Sequence, residues 1–175
     1  EAVRRKRRQA ADTYFSNHAP DWDAIRGMHV DASQVEQGLL ALVPKGAFKV
    51  HLDIGTGTGI LAIAAAKTWR MPILASDFDP EAIRVAGRVV RQNGVGQWVH
   101  CAVAIGTTGR AAAERGPFEL IVANILAGPL AALASAVARH AAPGARIVLS
   151  GILASQTAQV VAAYRFAGLH RTHSI

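Results

Sequence analysis

From about residue 48 onward, short and mostly apolar runs alternate with segments of helical periodicity. Because the runs are apolar on both faces, they indicate strands buried on both sides, as in a parallel sheet covered by helices. Right-handed crossovers then predict a doubly wound α/β domain. The predicted strands are residues 50–54, 71–76, 98–103, 120–123, 147–149 and 169–175. The predicted helices are residues 60–67, 80–92, 129–141 and 155–167.

The segment before this alternation has a helical pattern of its own. Residues 2–17 and a stretch that begins near Asp31 or Ser33 are predicted helices. We therefore expect an N-terminal helical lead-in over residues 1–46 and an α/β core over residues 47–175. Hydrophobic residues make up 51% of the 175-residue chain, which excludes a disordered protein. The single cysteine excludes an internal disulfide.

The positive charge of the chain is concentrated near its start. Of 19 basic residues, five form one run at residues 4–8, while 12 residues are acidic and the formal net charge is +7. The rest of the chain is close to neutral. The run is a candidate RNA contact, and a solvated helix face is the alternative.

One uncharged stretch, residues 120–138, is long enough to consider as a membrane span. Asn124 and the pair Gly128-Pro129 interrupt it, so a strand followed by a helix explains it better. The basic start runs into a polar stretch and does not form a signal peptide. We therefore expect a cytoplasmic protein without membrane contact. The seven histidines are scattered, so no metal site is predicted.

A glycine-rich loop follows the first predicted strand. Asp53, Gly55, Gly57 and Gly59 lie in the segment Leu-Asp-Ile-Gly-Thr-Gly-Thr-Gly. Glycines let the backbone turn sharply and approach a ligand closely. In doubly wound folds, ligands bind at the carboxyl ends of the strands. The loop is therefore the first candidate binding element.

Three ligand classes compete for such a loop. A phosphate loop would need Lys-Ser or Lys-Thr after Gly59, where the chain has Ile60. A dinucleotide fingerprint fits only in the register that starts at Gly57 and uses Ala62 as its last position, and it stays open. The observed spacing resembles motif I of class I S-adenosylmethionine (SAM)-dependent methyltransferases, whose loop wraps a methionine moiety. Asp53 suits an α-ammonium group better than a phosphate.

Asp77 ends the second predicted strand, 18 residues after Gly59. A carboxylate at this place can accept both ribose hydroxyls of an adenosine ligand. Asp79 precedes Pro80 and is more simply a helix cap. No acid follows the third strand, so an adenine contact there would be made by the backbone or by apolar groups.

Asn124 ends the fourth predicted strand. A side-chain amide at the end of a buried strand is costly unless it is paired. Its carbonyl, together with a nearby backbone carbonyl, could hold the two N–H groups of an acceptor amine. The alternative is a cap for the helix that follows.

Residues 52–168 closely resemble the catalytic domain of the PrmA-type enzymes, class I methyltransferases that modify amino groups of ribosomal protein eleven of the large subunit, and five segments carry the resemblance. The segments LDIGTGTGILAIAAAK and ASDFDPEAIRVA are widespread among class I methyltransferases. The segments VANILAGPL and LSGILASQ, taken together, are much more specific. The five are LDIGTGTGILAIAAAK (52–67), ASDFDPEAIRVA (75–86), RQNGV (91–95), VANILAGPL (122–130) and LSGILASQ (149–156).

The resemblance implies SAM as the cofactor and methyl transfer to an amine as the reaction. It implies that Asp77 binds the ribose and that Asn124, as the catalytic residue, positions the acceptor. The implied cofactor-binding residues are Asp53, Gly55, Thr56, Gly57, Gly59, Asp77 and Asn124.

Residues 10–43 instead resemble the lead-in of methyltransferases fused to ArsR-type DNA-binding domains, which would make the chain a mosaic. The family also has a separate domain that grips the protein substrate and a seventh, antiparallel strand, and we expect neither within these 175 residues. We therefore expect six strands and an exposed sheet edge that favours a homo-oligomer. The acceptor could be a ribosomal protein, another protein or a small amine. SAM binding without catalysis and a purely structural fragment stay open.

Overall fold

The computed structural model describes residues 48–172. All of them belong to Glu36–Ile175, the second of two units into which the chain divides. The predicted lead-in helices, the basic run at residues 4–8 and the predicted boundary after residue 46 lie outside the described residues and stay predictions. The described part is the predicted α/β core.

Five parallel strands alternate with helices in this core. The strands are β1 (His51–Ile54), β2 (Ile73–Asp77), β3 (Val99–Val103), β4 (Phe118–Asn124) and β5 (Ala141–Ser150). The helices are α1 (Ile60–Trp69), α2 (Pro80–Gln92), α3 (Arg110–Arg115), α4 (Ala127–His140) and α5 (Thr157–Phe166), with a 3₁₀ turn at Ala154–Gln156. The order across the sheet is β3-β2-β1-β4-β5, and every neighbouring pair is parallel. The doubly wound α/β prediction is confirmed.

The central strands are buried on both faces because apolar side chains point both ways. On β4, Leu120 and Val122 pack into the layer beneath α1 and α2. Their neighbours Ile121 and Ala123 pack into the opposite layer beneath α4 and α5. Burial of each such Leu, Ile or Val side chain contributes about 1.5–3 kcal/mol. The two layers hold the carboxyl ends of β1, β2 and β4 side by side.

Helix α2 has the bounds that the sequence predicts, Pro80–Gln92. Its first turn is capped by Asp79, whose side chain accepts a hydrogen bond from the backbone N–H of Glu81 at 2.9 Å. Ala86 and Val90 are buried on its inner face. The prediction that Asp79 serves as a cap is therefore confirmed.

Two elements differ from the sequence-based prediction. Strand β5 begins directly after α4 and includes Pro143 and Gly144, which we expected to lie before a strand of residues 147–149. The pairing between β4 and β5 shifts register in this stretch, and an edge strand tolerates proline because one side of it needs no ladder hydrogen bond. Helix α3, with 6 residues, was not predicted because it is too short to show a period.

The sixth predicted strand is not formed in the part that the structure describes. Residues 169–172 have no strand pairing, and residues 173–175 lie outside the described range. Between residues 48 and 172 the sheet therefore has five strands. Gly168, with φ of +86°, turns the chain at the end of α5. The polar residues His170, Arg171 and Thr172 that follow are exposed, which removes the apolar gain that a buried strand needs.

Candidate functional site

The glycine-rich loop lies between β1 and α1, at the carboxyl edge of the sheet. Gly55, Gly57 and Gly59 have φ of +70°, +54° and +87°, a backbone conformation that other residues rarely adopt. The backbone N–H groups of Gly55 and Thr56 donate to the carbonyl oxygen of Ser76 at 2.8 and 3.0 Å. No side chain caps the start of α1, so its first N–H groups are available to a ligand.

Asp53 is buried at the end of β1, with 1% of its surface exposed. Its carboxylate Oδ2 accepts a hydrogen bond of 2.7 Å from the hydroxyl of Thr56, which is also buried. The hydroxyl of Ser76 lies 3.3 Å from the backbone oxygens of both Asp53 and Gly106. The predicted residue Thr56 therefore supports the predicted residue Asp53.

Asp77 connects the end of β2 to the glycine-rich loop. Its Oδ2 accepts from the backbone N–H of Gly57 at 2.9 Å, and its Oδ1 accepts from the backbone N–H of Asp79 at 3.1 Å. A carboxylate has about four lone-pair positions, so two remain for a ligand. This geometry fits the predicted ribose contact.

Asn124 ends β4 beside the loop. Within residues 48–172 its side-chain amide has no hydrogen-bond partner. It does not cap the next helix, because α4 has Leu126 at its N-cap position and no side-chain cap. The cap interpretation of Asn124 is therefore wrong, and its amide is free to bind a ligand.

The glycine-rich loop and the segment after β4 touch directly. A Cβ atom built on Gly55 would lie 2.2 Å from Cγ2 of Ile125 and 3.9 Å from the backbone oxygen of Asn124. The register of β1 against β4 pairs Ile54 with Ala123, which sets the two loops side by side. Every predicted site residue thus lies at one edge of the sheet.

Sequence reasoning missed two residues that shape this edge. Ile125 covers Gly55, as above, and Gly151 follows β5 and lies against the side-chain oxygen of Asn124. Both are within the segments 122–130 and 149–156, so their place directly after predicted strands was the available signal.

Apolar side chains are exposed at the carboxyl ends of β2 and β3. Phe78, Val103 and Ile105 follow or end β2 and β3 and are exposed despite being apolar. They suit the face of an aromatic base better than a charged group.

A separate cavity of about 380 Å³ lies at the opposite, amino edge of the sheet. It is lined by the C-terminal end of α1 and the segment before β3, with Lys67, Arg70 and Trp98 among its residues. It contains none of the predicted site residues.

Residues 48–172 contain neither a cluster of metal ligands nor a membrane-spanning helix. No three His, Cys, Asp or Glu side chains lie close enough together there to hold a metal ion. No helix in the same range has the length and apolar character needed to cross a bilayer.

A doubly wound parallel sheet, a glycine-rich loop after β1 and an acid at the end of β2 together define the fold of the class I SAM-dependent methyltransferases. The chain belongs to the ribosomal protein L11 methyltransferase (PrmA) family, whose model matches residues 37–174. The resemblance inferred from the sequence is confirmed for this family. The resemblance of residues 10–43 to ArsR-fused enzymes stays a prediction.

Similar proteins agree with this assignment. A ribosomal protein L11 methyltransferase of Bradyrhizobium diazoefficiens is 55% identical over 118 residues, which are 67% of this chain and 40% of that protein. One of Chelativorans is 48% identical over 138 residues, 79% of this chain and 48% of that protein. The crystal structure of a ribosomal protein L11 methylase from Lactobacillus delbrueckii has a TM-score of 0.64 and 29% identity, covering 77% of this chain and 65% of that one. The chain thus spans about half or less of these curated relatives.

Proposed function

We propose that the chain binds SAM at the glycine-rich loop and transfers its methyl group to an amine, with ribosomal protein L11 as the first candidate acceptor. The observation that carries the proposal is the free amide of Asn124, which lies beside the loop through the contact of Ile125 with Gly55. The acceptor is taken from the names of the relatives, and the reaction from their family.

The residues at the carboxyl edge fit SAM. The loop turns through three glycines of positive φ, and the uncapped start of α1 offers N–H groups. Asp53, oriented by Thr56, suits the α-ammonium group, and the spare lone pairs of Asp77 suit the ribose hydroxyls. Exposed Phe78 suits the adenine.

Bound SAM would supply a methyl group already activated on a sulfonium sulfur, so the chain needs to align an acceptor rather than to supply a nucleophile. Alignment alone can contribute about 7–11 kcal/mol. In this proposal Asn124 Oδ1 and the backbone oxygen of Ile125 accept the two N–H groups of a neutral amine. The lone pair of the amine nitrogen is then left for the bond to the methyl carbon that leaves the sulfur, and the proton that the nitrogen releases passes to water.

A histidine base at this edge is not part of the proposal. Helices of this fold run opposite to the strands, so His140 at the end of α4 and His170 after α5 belong to the amino edge. His51 begins β1, and burial lowers its pKa to about 3. His100 is the second residue of β3, and burial lowers its pKa as well. None of the histidines between residues 48 and 172 serves as a base here, so in this proposal the amine arrives neutral or loses its proton to water.

Calorimetric titration with SAM and S-adenosylhomocysteine tests the cofactor part. We expect micromolar binding by the chain and its loss in Asp77→Ala, because that carboxylate holds both the loop and the ribose. Asp79→Ala is the matched control, since it removes a carboxylate two residues away that only caps α2. No binding by a chain whose circular dichroism shows it to be folded would overturn the proposal, as would equal loss in both variants.

Radiolabelled SAM tests the transfer, with ribosomal protein L11 and a panel of amines as acceptors. We expect Asn124→Ala to lower turnover and to leave SAM affinity close to the original. If the chain binds SAM but methylates nothing, the alternative of a binding unit without catalysis replaces the enzyme.

Three finer points are also proposals. A cytoplasmic location suits a chain whose relatives are named for a ribosomal protein. The outer edge of β5 is unpaired in the described range, which supports a homo-oligomer formed through that edge. An RNA contact by residues 4–8 rests on their charge alone. Light scattering and an RNA filter assay with the run neutralised would decide the last two.

A further inference from the structure

Gly151 directly follows β5 and lies against Asn124 and Ile125, the residues proposed to hold the acceptor amine. Its neighbour Ser150 is the register partner of Asn124, so the ends of β4 and β5 are level. A Cβ atom built on Gly151 would lie 2.8 Å from Asn124 Oδ1, 3.1 Å from the backbone oxygen of Ile125 and 3.4 Å from its nitrogen. Real Cβ atoms essentially never come within 3.0 Å of another heavy atom, so a side chain at position 151 would force Asn124 Oδ1 to move.

No hydrogen bond among the described residues fixes the orientation of the Asn124 side chain. Its amide has no hydrogen bond to any described residue. The terminal torsion of an asparagine is broad and roughly two-fold, so an unbonded amide can turn. Gly151 borders Oδ1 on one side, and the same glycine borders the carbonyl of Ile125.

We propose that Gly151 is a positioning residue for methyl transfer, which holds Asn124 Oδ1 and the Ile125 carbonyl oxygen where they accept the two N–H groups of the amine. This inference rests on the proposed function. A side chain at position 151 displaces both oxygens together and leaves the glycine-rich loop and Asp77 unchanged. Its effect is therefore on the acceptor and not on SAM.

The chain offers a matched control for this substitution. Gly144, which lies within β5, has φ of +75° against +78° for Gly151, so alanine meets nearly the same backbone strain at both. A Cβ atom on Gly144 would meet nothing within 4 Å. Any difference between Gly151→Ala and Gly144→Ala therefore reports the contact with Asn124 and Ile125.

The first test is kinetic. We expect Gly151→Ala to lower kcat about 10- to 100-fold, the size expected for a misplaced reacting group, with the Kd for SAM within about 2-fold of the original. Gly144→Ala should retain both. Equal kcat in the two variants, or loss of SAM binding in Gly151→Ala, would overturn the inference.

The second test does not need activity. In ¹⁵N-labelled chain the side-chain NH₂ signal of Asn124 is assigned by its disappearance in Asn124→Asp. We expect this signal to move in Gly151→Ala and to stay in place in Gly144→Ala, and an unmoved signal would overturn the inference. If the chain methylates nothing, the proposed function fails while this measurement still decides whether Gly151 positions Asn124.

A third variant covers a failure to fold. If Gly151→Ala does not fold, the double variant Asn124→Ala/Gly151→Ala should regain a cooperative urea transition, because the closest contact is then absent. A double variant that also fails to fold would contradict the inference.

Discussion

The proposed site has a cofactor half, the glycine-rich loop with Asp77, and an acceptor half, Asn124 with Ile125 and Gly151. Different contacts surround each half. In the cofactor half, hydrogen bonds fix the loop: Gly55 and Thr56 donate to Ser76, and Gly57 donates to Asp77. In the proposed acceptor half, the Asn124 amide has no hydrogen bond to a described residue, and our proposal is that its close approach to Gly151 positions it. A hydrogen bond is lost when a group is removed, whereas the close approach of a glycine to its neighbours is lost when atoms are added to it. The cofactor half should therefore be sensitive to deletions, and the acceptor half to small additions.

The largest effect is expected where the halves meet, in Gly55→Ala. Its new Cβ would lie 2.2 Å from Cγ2 of Ile125, and φ there is +70°. Left-handed strain of about 1–2 kcal/mol and overpacking of about 1–3 kcal/mol add to a loss of about 2–5 kcal/mol in unfolding free energy. Urea unfolding measures it.

Gly94→Ala is the control for Gly55→Ala, because Gly94 also has φ of +70° and its Cβ would meet nothing within 4 Å. It should cost only the strain. In an Ile125→Ala background the cost of Gly55→Ala should fall toward that of Gly94→Ala. If the loss of unfolding free energy stays the same, the contact with Ile125 is not what destabilises Gly55→Ala.

A smaller effect is expected from Thr56→Val, which tests the hydrogen-bonded half. The change removes the donor 2.7 Å from Asp53 Oδ2 inside a buried region. Loss of a buried hydrogen bond to a carboxylate costs about 1–3 kcal/mol. We expect that loss in urea unfolding, together with weaker SAM binding by calorimetry.

Thr58→Val is the control, since Thr58 lies in the same loop and its hydroxyl has no hydrogen bond to a described residue. It should change stability by less than about 0.5 kcal/mol. Equal effects at the two threonines would show that the loop depends on its backbone alone.

The cofactor half could be predicted from the sequence because its information is local. The glycine spacing, the acid before it and Asp77 after the second strand all lie within 25 positions, from Asp53 to Asp77. The bounds of helix α2 could also be predicted, since Asp79-Pro80 starts it and Asn93-Gly94 follows it. Their roles follow from turn and cap chemistry, which depends on neighbours along the chain.

The packing of the acceptor half could not be predicted in the same way. Contact between Gly151 and Asn124 depends on the register of β4 against β5, and the contact between Gly55 and Ile125 on that of β1 against β4. Neither register is encoded by a local pattern. The proline in β5 also misled the strand assignment, because only the sheet order shows that β5 lies at the edge of the described sheet.

The last and smallest effect at neutral pH is expected from His51→Leu, which tests a packed polar group away from the site. His51 begins β1 and is fully buried, and neither ring nitrogen has a hydrogen-bond partner among the described residues. Burial lowers its pKa from 6.5 to about 3, so the folded chain holds this imidazole neutral. Between those two values the unfolded chain binds the extra proton, and stability is lost as pH falls. The loss is about 1.4 kcal/mol per pH unit.

Urea unfolding of the chain and of His51→Leu at pH 8, 6 and 5 measures this contribution. At pH 8 both states carry a neutral ring, so we expect a difference within about 1 kcal/mol. As pH falls below 6.5, the unfolding free energy of the variant should rise relative to that of the original chain, because leucine cannot take up the proton that the unfolded histidine binds. His100→Leu serves for comparison, since His100 is exposed, although partial burial and the charge of Arg115 also lower its pKa. A constant difference across the three pH values would mean that water or a proton reaches the folded His51, and that packing alone does not isolate a polar group in this core. The same doubt would then extend to Asn124, whose orientation also relies on packing.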